Sequence, residues 1–424
     1  MVAIVGHNGL GGQYKTVHYA GSMQQWEALA IFPYNNTLVG GPINAAKDDS
    51  QVLYSGNIES TSLSWTLTAD GILTIEGTGT MSDWTETYVA PWEQYASDIK
   101  SLVISEDVTY IGSYAFDGLT NVQSVKIGAS VTKLGNYAFC GCDQMLAVAI
   151  DENSSMEEIG SYCFDDCSNL RYINIPDSVT TLGTAAFQTC TMLDHVMIEG
   201  VTELGDDVFY CCENLSSISL AEGLKVIPNA AFARCFNLAS VTIPTTVIRI
   251  EQYAFLAAHD DSIDVYYAGT SEQWDVISID YHNTYFDNAE FHFSGEIVAS
   301  GNVTEEITWA LDDSGVLIIN GTGDMPSYED GVGINDQDIA AWVYEDYHTV
   351  IISDGITSIG DYAFLWAEDL TTVVLTTSVA SISWNAFDGC TSQITMYVVG
   401  YESDFESVLN GNSYPSNITF EFLS

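Results

Sequence analysis

The chain is poor in basic residues. It holds 9 Lys and Arg against 58 Asp and Glu, a formal net charge of −49 at pH 7, and its last basic residue is Arg249. A field of this sign repels nucleic acids and anionic membrane surfaces, and it attracts basic proteins or divalent cations. We therefore exclude nucleic acid as a partner. We also expect surface ion pairs to contribute little to the stability of the second half of the chain.

Long apolar runs and the common catalytic motifs are also missing. No stretch of about 20 apolar residues occurs, so the sequence contains no candidate membrane-spanning helix. The G-x-S-x-G, H-E-x-x-H and P-loop patterns are absent, and the seven histidines are scattered. The G-x-G in "GTGTM" and "GTGDM" lacks the third glycine of a dinucleotide-binding loop. We predict no catalytic residue, no cofactor and no enzymatic activity.

What the chain does contain is a six-residue motif that returns along most of its length. Within two runs of copies, the motif starts every 22–25 residues, a period typical of stacked-repeat proteins. Each unit of such an array buries its apolar face only against its neighbours. The copies are IGSYAF (111–116), LGNYAF (134–139), IGSYCF (159–164), LGTAAF (182–187), LGDDVF (204–209), IPNAAF (227–232), IEQYAF (250–255), IGDYAF (359–364) and ISWNAF (382–387).

Inside one repeat, apolar and polar residues alternate ahead of a proline, as in "RYINI" followed by Pro176. Alternation is the period of a strand, and proline cannot extend a hydrogen-bonded ladder. A second apolar pair then leads to the phenylalanine, which keeps the same phase in nine units. We therefore predict that each coil has a short strand, a turn, a second extended segment and a tight aromatic turn, with a phenylalanine ladder in the core.

The consensus of these units resembles the BspA-like leucine-rich repeats of bacterial cell-surface proteins. The shared pattern is L-x-x-[IV]-x-[IL]-P-x-x-V-x-x-[IL]-G-x-x-A-F-x-x-C, and it covers residues 99–265 and 348–397. With the repeat period, it implies a leucine-rich-repeat solenoid, rich in β-structure, with parallel strands and short turns or helices. The resemblance also implies an adhesive role at the cell surface.

Two further motifs recur beside the repeats. "WTLTADGILTIEGTGTM" (65–81) matches "WALDDSGVLIINGTGDM" (309–325), and a D-G or S-G pair between alternating apolar runs indicates a hairpin. "VHYAGSMQQW" (17–26) matches "VYYAGTSEQW" (265–274), where Ser or Thr precedes Gln by three residues in a capping box that begins a short helix. We interpret the hairpins as N-terminal caps and the strand with its short helix as a C-terminal cap.

The motifs therefore predict two solenoid blocks, each with its own caps. Residues 17–47 carry the closing motif without repeats ahead of it, and no secretory signal begins the sequence, so we expect the chain to start within a longer array. The predicted modules are a truncated closing cap (1–59), a hairpin cap (60–98), the first repeat block (99–264), its closing cap (265–295), a second hairpin cap (296–347), a short second block (348–395) and a last closing cap (396–424).

Nine cysteines raise the question of disulfides or metal sites. Six of them follow the repeat phenylalanine by three residues, where other units have Leu119, Ala258 or Ala367. A position that accepts Leu, Ala or Cys is a small buried apolar slot, so we predict structural thiols and no metal site. A metal site at "CGC" (140–142) or "CC" (211–212) is the alternative. Calcium is a further alternative, although the acidic loops lack the spacing of an EF-hand.

Strand residues that alternate with the core face outward on one sheet, and most of them are small and neutral. The exceptions lie in two neighbouring repeats. We call them the candidate patch and predict that they form a ligand-binding site: Arg171, Tyr172, Asn174, His195 and Met197. An aromatic ring, a base and a thioether on a flat face are typical of a protein contact surface. Ordinary surface variety is the alternative.

These observations predict a non-enzymatic binding or adhesion segment of a bacterial surface protein, located outside the cell. Its partners are expected to be proteins on host or neighbouring cells. The content of 9 Trp and 24 Tyr leaves open a carbohydrate- or cell-wall-binding module with glycans as ligands. A passive spacer that only extends another domain is the third alternative.

Overall fold

The computed structural model describes residues 17–19, 43–45, 51–151, 153–258, 263–329, 339–400, 402–411 and 414–423. The chain divides into two compact units. The first comprises Met1–Ile243, Glu251–Val265 and Asp280–Glu290, and the second comprises Pro244–Ile250, Tyr266–Ile279 and Phe291–Ser424. The division passes through the coil at 244–279. The sequence-based module boundaries, which place the closing cap of the first block at residues 265–295, stay predictions.

The regular elements of the first unit are mainly short strands, in which alternating side chains place every second residue in the core. Two short 3-10 helices accompany them, Glu93–Asp98 and Thr284–Asn288. In chain order the strands are β1 (Val17–Tyr19), β2 (Ile43–Ala45), β3 (Val52–Asn57), β4 (Leu63–Thr68), β5 (Ile72–Gly77), β6 (Gly79–Thr80), β7 (Ser101–Ile104), β8 (Val108–Ile111), β9 (Ser124–Ile127), β10 (Lys133–Leu134), β11 (Ala147–Ile150), β12 (Glu158–Ile159), β13 (Tyr172–Asn174), β14 (Thr181–Leu182), β15 (His195–Met197), β16 (Glu203–Leu204), β17 (Ser217–Ser219), β18 (Val226–Ile227) and β19 (Ser240–Ile243).

Two sheets run along the first unit. The larger has the order β15-β13-β11-β9-β7-β5-β4-β3, and the smaller has the order β16-β14-β12-β10-β8-β6. Strands β3, β4 and β5 are antiparallel, whereas the later strands pair in parallel from coil to coil. The register places Val125 opposite Val148 and Ile127 opposite Ile150. Residues of the same repeat phase therefore lie directly above one another.

In the first unit, the tight turn of each coil uses two residues in the left-handed region, one two positions before the repeat phenylalanine and one two positions after it. Around Phe116 these are Tyr114 (φ 56°) and Gly118 (φ 68°). Glycine suits the second position because it has no Cβ to clash with the backbone. The turn amides are satisfied by the next coil, since Phe116 N donates to Ala138 O at 2.8 Å.

The phenylalanines form the predicted ladder. From Phe116 to Phe255 the seven rings of the first unit are at most 1% exposed, and neighbouring ring centroids lie 5.2–5.6 Å apart at interplanar angles of 2–19°. Offset stacking of this kind adds attraction beyond the burial of apolar area. The column is the centre of the core of this unit.

A second column, of cysteines, lies beside the phenylalanines, and the prediction of buried structural thiols is confirmed for it. Five side chains in the first unit are 0% exposed, and each Sγ donates to the carbonyl of the repeat phenylalanine in the preceding coil at 3.1–3.2 Å. The thiol therefore fills a small slot and also satisfies a buried carbonyl, which alanine cannot do. The residues are Cys142, Cys167, Cys190, Cys212 and Cys235.

Both sheets of the first unit are interrupted after the same coil. The larger ends at β15 and the smaller at β16, and β17 pairs onward with β19. Within residues 153–258, the bridge between Ile198 and Leu220 is the pairing that remains between β15 and β17. This coil is the shortest, with 22 residues from motif to motif. A Cβ on Gly200 would lie 1.9 Å from Asp177 O, so the short loop lies close to the preceding coil.

The second unit has the same architecture over fewer coils. Its main sheet has the order β24-β25-β26-β28-β30-β32-β33, and a small sheet has the order β27-β29-β31. Two strands, β21 (Asp264–Tyr267) and β23 (Glu290–Phe293), begin in the first unit and end in the second. The others are β20 (Arg249–Ile250), β22 (Ser278–Ile279), β24 (Ile297–Asn302), β25 (Ile307–Asp312), β26 (Val316–Gly321), β27 (Gly323–Asp324), β28 (Thr349–Ile352), β29 (Ile356–Ile359), β30 (Thr372–Thr376), β31 (Ser381–Ile382), β32 (Ile394–Val399) and β33 (Ile418–Leu423), with helices α1 (Ser271–Asp275) and α2 (Glu402–Gly411).

Each predicted hairpin is followed by a buried tryptophan that contacts the first coil. Trp92 stacks on Phe116 with centroids 5.4 Å apart, and its Nε1 donates to Ala115 O at 2.8 Å. In the second unit Trp342 Nε1 donates to Ala363 O at 2.9 Å. The hairpins β4–β5 and β25–β26 are present at the expected turns. Their function as caps stays a prediction.

The capping box before α1 is confirmed. Thr270 Oγ1 accepts from Gln273 N at 3.3 Å, and Gln273 Oε1 accepts from Thr270 N at 2.7 Å. The corresponding box at Ser22 and Gln25 lies outside the described residues. Parallel strands, short turns and few helices confirm the predicted solenoid.

Candidate partner-binding face

The candidate patch lies at the end of the larger sheet of the first unit. The register pairs Tyr172 with His195 and Asn174 with Met197 on the adjacent strands β13 and β15. Arg171 is exposed, Tyr172 and Asn174 are half-buried, and Met197 is 38% exposed. The side chain of His195 lies outside the described part of the chain. The five residues thus belong to two adjacent coils, and their role in binding stays a prediction.

The outer face of this sheet is not open along its whole length. Ser101, Ser124 and Ala147 alternate with core residues, yet they are 7%, 1% and 0% exposed. Ser124 Oγ donates to Ser101 Oγ at 3.1 Å. Part of Tyr172 packs against Ala147 and its neighbour Ala149. Outward orientation therefore does not mean exposure at the first position of β7, β9 and β11, whereas Lys126, further along β9, is exposed.

A shallow depression borders the patch where the larger sheet ends. It has an apolar floor and a polar rim, and its lining comes from both sides of the sheet interruption. Sequence reasoning missed the residues contributed by the loop and by the next strand. One feature of the sequence could have indicated them: the spacing of 22 residues between the motifs at 182 and 204 is the shortest and predicts a local irregularity. The lining residues are Val196, Met197, Ile198, Glu199, Ser217 and Ser219.

The charges around the depression are mixed but mostly negative. Arg171 supplies one cation, and Asp194 and Glu199 are exposed carboxylates on the same coils. The chain as a whole carries −49. A carboxylate beside an apolar floor and an exposed thioether favours a partner side chain that is long and basic, because its stem can pack while its head group pairs.

The outer face of the main sheet in the second unit is covered from within that unit, a feature that the sequence did not predict. Ile248 packs into a buried cluster on this face, and Arg249 Nη1 donates to Leu423 O at 2.8 Å. This face is therefore an internal packing surface. The sheet residues of the cluster are Val316, Ile318, Ile351 and Val374.

The thiols are poorly suited to nucleophilic chemistry. Burial raises the pKa of Cys167 and Cys212 well above the usual range, because a thiolate in an apolar column is poorly solvated. Burial also raises the pKa of the half-buried Cys140 to about 12, and the carboxylates of Asp117 and Asp165 add to this shift. A nucleophilic cysteine needs a lowered pKa.

Two carboxylates approach each other at the edge of the first unit. Asp264 and Glu290 hold carboxylate oxygens within 4.8 Å of each other. Exposed acidic groups are common without an ion, so this pair does not identify a cation site. Calcium binding and the expected lack of a cofactor stay predictions.

The stacked parallel coils define a solenoid of the leucine-rich-repeat class. The profile described as BspA type Leucine rich repeat region matches in six copies, over residues 94–199, 149–263 and 340–421, which together make up more than half of the chain. The chain belongs to this family. Comparison with curated protein sequences gives no significant match. Among the described helices, neither length nor apolar character reaches what a bilayer crossing requires.

Several solved structures match the chain over most of its length. One is a leucine-rich repeat protein from Eubacterium ventriosum, with 17% identity over 86% of this chain and 92% of that one, and a TM-score of 0.40. A leucine rich cell surface protein from Faecalibacterium prausnitzii has 19% identity over 85% and 98%, with a TM-score of 0.32. A leucine-rich repeat protein from Bacteroides ovatus has 16% identity over 89% and 100%, with a TM-score of 0.36.

Proposed function

We propose that this chain is a non-enzymatic, extracellular segment of a bacterial surface protein, and that the face around the candidate patch binds protein partners. The observation that carries the proposal is the open end of the larger sheet, where the exposed Met197 borders a depression rimmed by Glu199 and two serines. An exposed apolar anchor beside a pocket is the arrangement that dominates binding energy in protein interfaces.

Family membership supports the surface location and the binding role. Leucine-rich-repeat solenoids generally bind proteins and are generally non-enzymatic, and one structure similar in fold is named as a cell surface protein. The charge of the chain defines the partner further. With a net charge of −49, complementarity favours host or neighbouring-cell proteins that present basic surfaces.

The test measures binding of the full chain to a panel of purified extracellular host proteins, half basic and half acidic. We expect a basic member to bind, and we expect the double variant Tyr172→Ala/His195→Ala to bind about tenfold more weakly or worse. Its urea midpoint should stay near that of the unmodified chain, because Tyr172 is half-buried at the surface.

The matched control is the double variant Tyr266→Ala/His292→Ala. These two rings also form a tyrosine–histidine pair, with centroids 4.6 Å apart, but they belong to the second unit. The control should leave affinity unchanged. If the patch variant keeps both its fold and full affinity, the proposed face is wrong.

A passive spacer is the competing function, and it makes the opposite prediction. A spacer binds no member of the panel and tolerates exchange of its repeats. The depression favours the binding function, because a concave surface with an apolar lining and a few polar groups is typical of a binding site.

A further inference from the structure

Two tryptophans of the second unit are exposed, which sets them apart from the other tryptophans that the structure describes. Trp366 is 51% exposed and Trp384 is 67% exposed, whereas Trp65, Trp84, Trp92, Trp274, Trp309 and Trp342 are all buried. An exposed indole contributes little to the core. A contiguous group of large apolar side chains in solvent is typical of an interaction site.

The two tryptophans belong to the tight turns of adjacent coils. Trp366 N donates to Asp388 O of the next coil at 2.9 Å. Its ring lies directly against Gly389, since a Cβ there would be 2.3 Å from Trp366 Cδ1. Trp384 stands five residues before Gly389 in the same turn. The stacking of coils therefore brings two rings that are 18 residues apart in sequence to residues 384–389.

Neither packing nor backbone preference explains Trp366. The residue adopts φ 59°, in the left-handed region that bulky side chains avoid. The same position is left-handed in the other coils, where it is occupied by Gly118, Gly141, Asp166, Thr189, Cys211, Arg234, Ala257 and Gly389. The left-handed backbone therefore belongs to the repeat, and Trp366 adds to it an aromatic ring that stays half in solvent. Folding does not require a ring at this position, whereas contact with a ligand gives it a function.

The surroundings determine the class of ligand. No Lys or Arg occurs from Glu251 to Ser424, so an anionic polymer has no counter-charge here. Exposed Glu368, Asp369 and Asp388 lie on the same coils. Protein interfaces are depleted in Asp and Glu relative to the rest of the surface, so three exposed carboxylates on the coils of the two indoles fit a protein contact poorly.

A neutral polysaccharide fits both features. The apolar C–H face of a sugar ring can stack on the negative face of an indole, and sugar hydroxyls can donate to carboxylate and amide oxygens. Such acceptors lie beside Trp384, where the Ser383 hydroxyl contacts the Asp361 carboxylate and the Asn385 side-chain oxygen. We propose that Trp366 and Trp384 form a binding site for neutral polysaccharides.

The experiment is affinity gel electrophoresis of the full chain in hydroxyethyl cellulose, laminarin and galactomannan, with alginate as a polyanion. We expect retardation in at least one neutral polymer and none in alginate. The variants Trp366→Gly and Trp384→Ser each insert the residue of another coil, as in Gly118 and Ser113. Each should weaken binding about tenfold, and the double variant should abolish it.

Tyr344→Ala is the matched control, because this aromatic residue is 77% exposed in the same unit but lies outside the turn. It should leave retardation unchanged. Urea midpoints report on folding. The midpoint of Trp366→Gly should equal or exceed that of the unmodified chain, because glycine tolerates the left-handed backbone. Absence of retardation in all three neutral polymers, or equal retardation of the double variant, overturns the proposal. If the double variant loses binding to a protein but keeps its retardation in the polysaccharide gels, the two tryptophans form a protein-binding site and the proposal is wrong.

Discussion

The phenylalanine ladder provides the sharpest test of the fold through the substitution Phe187→Ala. The Phe187 ring is 0% exposed and lies 5.3 Å from Phe164 and 5.4 Å from Phe209. Truncating a buried phenylalanine to alanine costs about 3–5 kcal/mol. The substitution also removes the stacking attraction of Phe187 with each of its two neighbouring rings, which contributes up to about 0.5–1.5 kcal/mol per pair. Because these contributions overlap, we expect the first unit to lose about 4–5 kcal/mol of unfolding free energy.

The loss should also be local. In a solenoid each coil contacts its two neighbours, so stability is close to a sum of unit and neighbour contributions. Hydrogen exchange of the full chain should speed up most in the coils of Phe164, Phe187 and Phe209, and least in the second unit. Urea unfolding followed by circular dichroism gives the size of the loss.

The control Phe187→Leu keeps most of the buried volume and should cost about 1–1.5 kcal/mol. An alanine variant that loses less than about 2 kcal/mol, well under the cost of emptying a core site, would refute the stacked core. Exchange that speeds up evenly over the whole chain would refute the nearest-neighbour reasoning.

Three further predictions concern thiols and pH. Because burial raises the pKa of Cys140 to about 12 and raises those of the buried thiols further, iodoacetamide at pH 8 should label the native chain far more slowly than the urea-unfolded chain, as counted by mass spectrometry; rapid native labelling would contradict the buried column. Cys190→Ala should lower the free energy of unfolding in urea by about 1–2 kcal/mol, because it removes the sulfur and its 3.1 Å hydrogen bond to Phe164 O. Cys190→Ser keeps a hydrogen-bond donor and should lower this free energy by less. Burial, with repulsion from Asp166, raises the pKa of Asp165. A raised folded pKa destabilises the native state above that pKa and has no effect below the unfolded value, so Asp165→Asn should stabilise the chain at pH 7 and not at pH 3, and an equal gain at both pH values would contradict this.

Part of the candidate site follows from sequence, and part does not. The repeat period places Tyr172 beside His195 and Asn174 beside Met197, because residues at one phase of neighbouring coils share a register. Period does not reveal how exposed each position is. Sequence reasoning therefore missed Glu199, whose place on the rim depends on a sheet interruption between two coils.

The amino-acid sequence alone was enough to predict the solenoid, its phenylalanine column and the buried cysteine slots. These features repeat with the coil, so each is encoded locally and many times over. The covering of the second sheet by Ile248, the burial of Ser124 and the meeting of Trp366 with the turn of Trp384 emerged only in three dimensions. Each of these depends on one contact between residues distant in the chain, and a single contact leaves no periodic pattern.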